Sequence, residues 1–324
     1  MAEAVDIEEK TFEHYFDLSS KVRSRIINKM DKADRCRMTR CSKTCKKEAQ
    51  SSKNYIYAFH FLQSAQDLFS ITAYFGTNIA INQPDFSIVI KKKSGKNVAQ
   101  CKNRNNQTLW EDELDSSTEL IEHALQKFKD EMQKYHRYVK MFFLSIPLFE
   151  RKLQPEELGI ERLENLEKLV IGGAIDVPRF LSKLQCPLKE FHLLGSGRNS
   201  VLSNCKEIHQ VQQKLTWQNG EFDYKQLSQL SAKNVYISVG QLTEREVFCF
   251  IRSWQNGSIG KTINSYVWSL LPFRFDRKKF VTYLRCEVED LERGLEIKHF
   301  IEHGVSAKLS SDQMLLHFEI LHRE

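Results

Sequence analysis

The sequence predicts an α+β protein in which a small N-terminal helical module precedes a repeat-like α/β domain with a curved sheet, ending in β-strands. Three observations carry this expectation. Leu18, Val22, Ile26, Ile27 and Met30 recur at intervals of three and four, the period of one helix face. Ile171, Leu193, Leu215 and Ile237 recur every 22 residues, each closing a short strand-like run. Near the C-terminus Ile297, His299 and Ile301 alternate with polar neighbours, as in a strand.

The helical module is expected over 12–50. Ser19 or Ser20 can cap its first helix, Asp31 to Asp34 interrupts it, and a second amphipathic stretch follows from Arg35 to Ala49. Helices this short remove too little surface from water to fold alone. They need the rest of the chain or a partner. Between Lys21 and Ala49 there are 11 Lys or Arg against 3 Asp or Glu, so this segment is strongly basic within a chain of net charge +6. A solvated basic surface is the plainest reading; phosphates, an acidic leaflet or an acidic protein are the partners such charge attracts.

A β-hairpin plus a long helix is expected over 51–145. The aromatic-rich stretch from Asn54 to Phe75 gives no clear assignment. Asp85–Lys91 and Asn97–Lys102 read as strands joined by a Gly-containing turn, and Lys102–Asp115 as a polar loop. The pair Ser116 and Glu119 suggests a capping box opening a helix. Its apolar stripe is Leu120, Ile121, Ala124, Leu125, Phe128, Met132 and Tyr135. Tyr138–Leu144 reads as a buried strand stopped by Pro147.

The third region, 146–324, carries the 22-residue recurrence. Short helical stretches such as Pro178–Leu184 and Tyr224–Leu230 lie between the strand-like runs. One strand and one helix per 20–29 residues is the leucine-rich-repeat range, and Leu166-x-x-Leu169-x-Ile171 fits that pattern. The usual Asn is replaced by Ala174, Ser196, Gln218 and Gly240, and Gln213 occupies an inward position of the third unit. Thr243 and Glu246 form a second capping box, opening a helix with Val247, Phe250, Ile251 and Trp254 on one face.

Composition, with 41% hydrophobic and 11% aromatic residues, suits a globular protein with a sizeable core. The acidic N-terminus lacks a signal-peptide pattern, and the longest apolar run, Met141–Phe149, is far short of a bilayer span. The expectation is an intracellular protein, cytoplasmic or nuclear, with no membrane association and reduced cysteines.

The order Leu18, Val22, Ile26-Ile27, Met30, Asp31-x-x-Asp34-Arg35 and Ser42-Lys43 resembles an F-box, the helical module that docks onto the Skp adaptor of cullin-based ubiquitin ligases. The family usually has Pro after the first Leu and often Glu two residues further on, where this chain has Ser19 and Lys21. Farther on, Leu242–Gly257 is similar to a segment of the type-two F-box-associated domain of nematode F-box proteins. So are Gly294–Gly304, Ser306–Leu309 and Met314–Leu321. The resemblance implies a substrate receptor of an SCF-type ligase. Leu18, Val22, Ile26, Ile27, Met30 and Met38 would face a Skp-type adaptor, and through it a cullin, as well as the module's own small core. The α/β region would hold an unknown target protein.

Enzyme readings fare worse. His299-Phe-Ile-Glu302-His303 spells a zinc-peptidase pattern that requires a helix. On a strand the two histidines stand ~13 Å apart at ~3.3 Å per residue, too far to share a metal. Cys36, Cys41 and Cys45 lack a fourth ligand nearby, and Gly195-Ser196-Gly197 reads as a turn. No catalytic residue, metal or cofactor is expected. Two alternatives stand beside the receptor: a nucleic-acid-binding protein using the basic helices 21–49, with steep salt dependence, and a non-catalytic scaffold.

Overall fold

The computed structural model describes residues 15–30, 45, 57–74, 84–135, 139–148, 151–195, 202–217, 222–237, 243–259, 263–269, 277–284, 295–298, 305–311 and 315–321. The chain divides into two units, Met1–Tyr55 and Ile56–Glu324.

In the first unit, α1 spans Ser20–Lys29. Ser19 is its N-cap, but the Ser19 side chain makes no capping hydrogen bond, contrary to the expected serine cap. The entry is fixed by Arg23, whose guanidinium donates to the carbonyls of Leu18 (2.6 Å) and Phe16 (3.2 Å) and lies over the Tyr15 ring. Tyr15, Ile27 and Cys45 form a small buried cluster, with Met30 packed against it.

In the second unit the described strands form one 14-stranded sheet. The strands are β1 (Ala58–Ala65), β2 (Leu68–Tyr74), β3 (Phe86–Lys93), β4 (Lys96–Asn103), β5 (Thr108–Leu114), β6 (Met141–Ile146), β7 (Lys168–Gly173), β8 (Glu190–Leu194), β9 (Lys214–Trp217), β10 (Asn234–Ile237), β11 (Ser265–Ser269), β12 (Leu295–Lys298), β13 (Ser306–Ser311) and β14 (Leu315–Leu321). Their order is β12-β13-β14-β11-β10-β9-β8-β7-β6-β1-β2-β3-β4-β5. The centre, β1 with β6 through β11, is parallel, and both flanks are antiparallel. The sheet passes residue 145 without a break.

The helices α2 (Leu120–Tyr135), α3 (Val177–Leu181), α4 (Lys206–His209), α5 (Tyr224–Ser228), α6 (Glu244–Gln255) and α7 (Arg277–Leu284) complete the described elements, with a 3-10 turn at Leu202–Asn204. Several of them lay their apolar side chains on one face of the sheet. Phe128 of α2 stacks against Phe59 and Phe61, and Phe250 of α6 against Tyr266. On that inner face one rank runs strand to strand through Phe61, Leu144, Ile171, Leu193, Trp217, Ile237, Trp268 and Leu316, all buried.

The pairing revises the strict 22-residue recurrence. Leu169 pairs with Phe191, Phe191 with Leu215, and Leu215 with Val235, offsets of 22, 24 and 20 residues. Leu193 therefore lies beside Trp217, not Leu215. Both point inward because residues two apart on a strand share a face, so even spacing in the sequence concealed a slip of one pleat. The same slip explains Gln213, which precedes β9 and is exposed.

Two further expectations are corrected. Lys102–Asp115 is not simply a polar loop, because Thr108–Leu114 pairs with β4 as an edge strand; its polar composition reflects exposure on both faces. The capping box at Ser116 and Glu119 does not open α2, which starts at Leu120. Asp115 instead accepts hydrogen bonds from the Ser117 backbone and hydroxyl, holding 115–118 in a turn. The β3–β4 turn is as expected: Ser94 and Gly95 both have positive φ (51° and 82°), the backbone of a tight two-residue hairpin loop. The box at Thr243 and Glu246 also forms.

Candidate interaction surfaces

Of the six residues expected at the adaptor, five are described. Ile27 is fully buried in the unit's own cluster; Leu18, Ile26 and Met30 are half-buried; Val22 is 41% exposed. Met38 lies outside the described residues. Phe16, which the helical period does not reach, is 54% exposed and meets Tyr15 edge to face. The stripe is thus split: among its described residues Ile27 is consumed by the module and Val22 stays exposed. Of the basic segment 21–49 only 21–30 and Cys45 are described, and there Arg23 is turned onto carbonyls while Lys21 and Arg25 are exposed.

The second surface is the face of the sheet opposite the helices. Its ranks follow from the pairing. One runs Glu296, Lys308, Glu319, Ser265, Asn234, Lys214, Glu190, Lys168, with charges that mostly alternate in sign. The next runs His317, Val267, Tyr236, Thr216, His192, Val170, Phe143, His60 and is mainly aromatic and apolar. Opposite charges on adjacent strands are within reach of each other. Lys168 Nζ lies 2.7 Å from Glu190, which also accepts from His192 Nε2 at 3.2 Å. Glu167, just before β7, accepts from both Lys140 and Lys189 at 2.8 Å.

These contacts tune the ionisable groups. The bonds from Lys140 and Lys189 hold the Glu167 carboxyl below its usual range. Burial pushes the Glu190 carboxyl up, but hydrogen bonds from Lys168 and His192 outweigh this and leave it lowered. Burial lowers His192 despite Glu190. His60, between the rings of Tyr74 and Phe143, is pushed down by burial to about 4 and is neutral at physiological pH. Its Nε2 and the Oγ1 of Thr72, its cross-strand neighbour, have no hydrogen-bond partner among the described residues. This face carries rings, hydroxyls and paired charges, most of them half-buried. It was not legible in the sequence because it needs the strand register.

His299, Glu302 and His303 lie outside the described residues, as do Cys36, Cys41, Ser196 and Gly197; Cys45 is buried. Among the described residues no group of three His, Cys, Asp or Glu is placed to hold a metal ion, and no helix is long and apolar enough to cross a membrane. Set against protein-family models, curated proteins and solved structures, the chain matches none.

Proposed function

We propose that this chain is the substrate receptor of an SCF-type ubiquitin ligase. In this reading the first unit is an F-box that docks a Skp-type adaptor, and through it a cullin. The β6–β11 stretch is a repeat-like curved sheet, and its face opposite the helices, around Thr216, Tyr236 and Val267, takes a target protein. Holding the target near a ubiquitin-conjugating enzyme raises its effective concentration, so the chain itself needs no catalytic group.

The observation that carries the reading is the divided stripe of α1. Ile27 closes a cluster inside the unit, while Val22 and Phe16 keep large apolar surfaces exposed beside it. Apolar surface left in water on so small a helical unit favours a partner.

Co-purification with a Skp-type adaptor tests it, with Val22→Glu as the variant. Val22 is not part of the buried cluster, so the variant keeps its fold, while a carboxylate buried at the contact without a partner is costly. Capture by the intact chain and loss in the folded variant support the receptor. Failure of the folded intact chain to bind the adaptor refutes it; nucleic-acid retention that falls steeply with salt would favour the basic-helix alternative.

A further inference from the structure

The strand β5 ends the sheet, and no described strand pairs with its outer side. On an edge strand every second residue turns its N–H and C=O away from its neighbour, so β5 presents unpaired main-chain donors and acceptors. It runs for 7 residues, and all but Trp110 and Leu114 are exposed. The opposite edge, β12, has only 4 described residues. A bulge against Cys101 and Lys102 of β4 leaves Leu109 unpaired and 52% exposed on the same strand.

The side chains define what the edge accepts. Glu111 and Glu113 project on one face; Trp110, Asp112 and Leu114 project on the other. Lys127 lies over the Trp110 ring and 4.0 Å from Asp112, so this face is anchored to α2. Glu111 and Glu113 pair with Lys93 (3.0 Å) and Lys96 (2.8 Å), both exposed lysines. Pairs of this kind contribute little and their long side chains exchange readily. A second copy of β5 is a poor occupant: antiparallel pairing would set Glu111, Asp112 and Glu113 against the same acidic run, and like charges directly opposite are destabilising.

We propose that β5 is a strand-addition site for an extended partner segment with Lys or Arg at alternate positions. Main-chain bonds along Thr108–Leu114 supply the attachment. The basic side chains meet Glu111 and Glu113, and an apolar neighbour covers Leu109. This site does not depend on the adaptor reading.

The test uses the full chain and a blocked peptide of β5's own length, alternating Lys and Val. A charge-matched peptide with Pro in place of each Val loses every second main-chain donor and is held out of regular strand geometry, which disfavours a ladder. Amide exchange across 108–114 and fluorescence anisotropy are read together. Strand addition gives slowed exchange at β5 with the Lys-Val peptide alone. The Pro peptide then binds at least about tenfold more weakly, and a folded E111K/E113K variant loses the interaction. Equal binding of both peptides, binding with β5 exchange unchanged, or no binding overturns the proposal.

Discussion

Along β8, Phe191 and Leu193 are fully buried beneath the helices, while Glu190 and His192, which alternate with them, share a hydrogen bond on the opposite face. The same alternation runs across the sheet. On the inner face, ranks of Phe, Leu, Ile and Trp continue through many strands with almost no polar atom. On the other face, charges pair with neighbouring charges and rings stand among hydroxyls. The difference separates residues that hold the fold by leaving water from residues that stay partly in it. Inner residues contribute by leaving water and by close packing. Ion pairs that stay partly in water contribute little to stability.

That comparison can be broken at several points. The largest effect belongs to Phe128→Ala, because Phe128 is fully buried and stacks 4.8 Å from Phe61 and 5.1 Å from Phe59. Urea unfolding should show a loss of about 3–5 kcal/mol. Next comes His60, the exception on the second face. Its folded pKa, about 4, lies below the usual value of 6.5, so the unfolded chain binds the proton more tightly. The His60 contribution is complete above pH 6.5 and is lost as the pH falls towards 4, to the extent of ~3 kcal/mol. Comparing the pH dependence of stability with that of His60→Leu isolates it; parallel curves would remove His60 from the account.

Smaller effects sharpen the contrast. Thr243→Ala removes the side chain that accepts from the Glu246 backbone at the start of α6 and should cost about 1 kcal/mol in thermal or denaturant unfolding. Glu167→Gln weakens two exposed lysine pairs and should change stability by no more than about 0.5 kcal/mol. If Glu167→Gln costs as much as Phe128→Ala, the division between the two faces fails.

The inner face was more legible in the sequence than the outer one, for the same physical reason. In α6 the cap at Thr243 and the stripe Val247, Phe250, Ile251 and Trp254 are local signals, and all four apolar residues are buried. The β3–β4 hairpin is equally local. Pairing is not. Leu215 and Trp217 both point inward, so only the register reveals which one neighbours Leu193. The edge strand β5, exposed on both faces, lacks the apolar alternation that marks a half-buried strand. The paired Glu167, Lys140 and Lys189 come from separate segments, and only the parallel order of β6, β7 and β8 brings them together. In α1 the period gave the stripe but not which side of it the module would bury; Ile27 and Val22 have opposite fates though both belong to it.

Titration of a purified Skp-type adaptor into the intact chain, the Val22→Glu variant and a Tyr236→Glu variant tests the central claim most directly. The account predicts binding by the intact chain, at least about tenfold weaker binding by Val22→Glu, and unchanged binding by Tyr236→Glu, with all three proteins folded. No binding by the intact chain, or equal affinity for Val22→Glu, would contradict it.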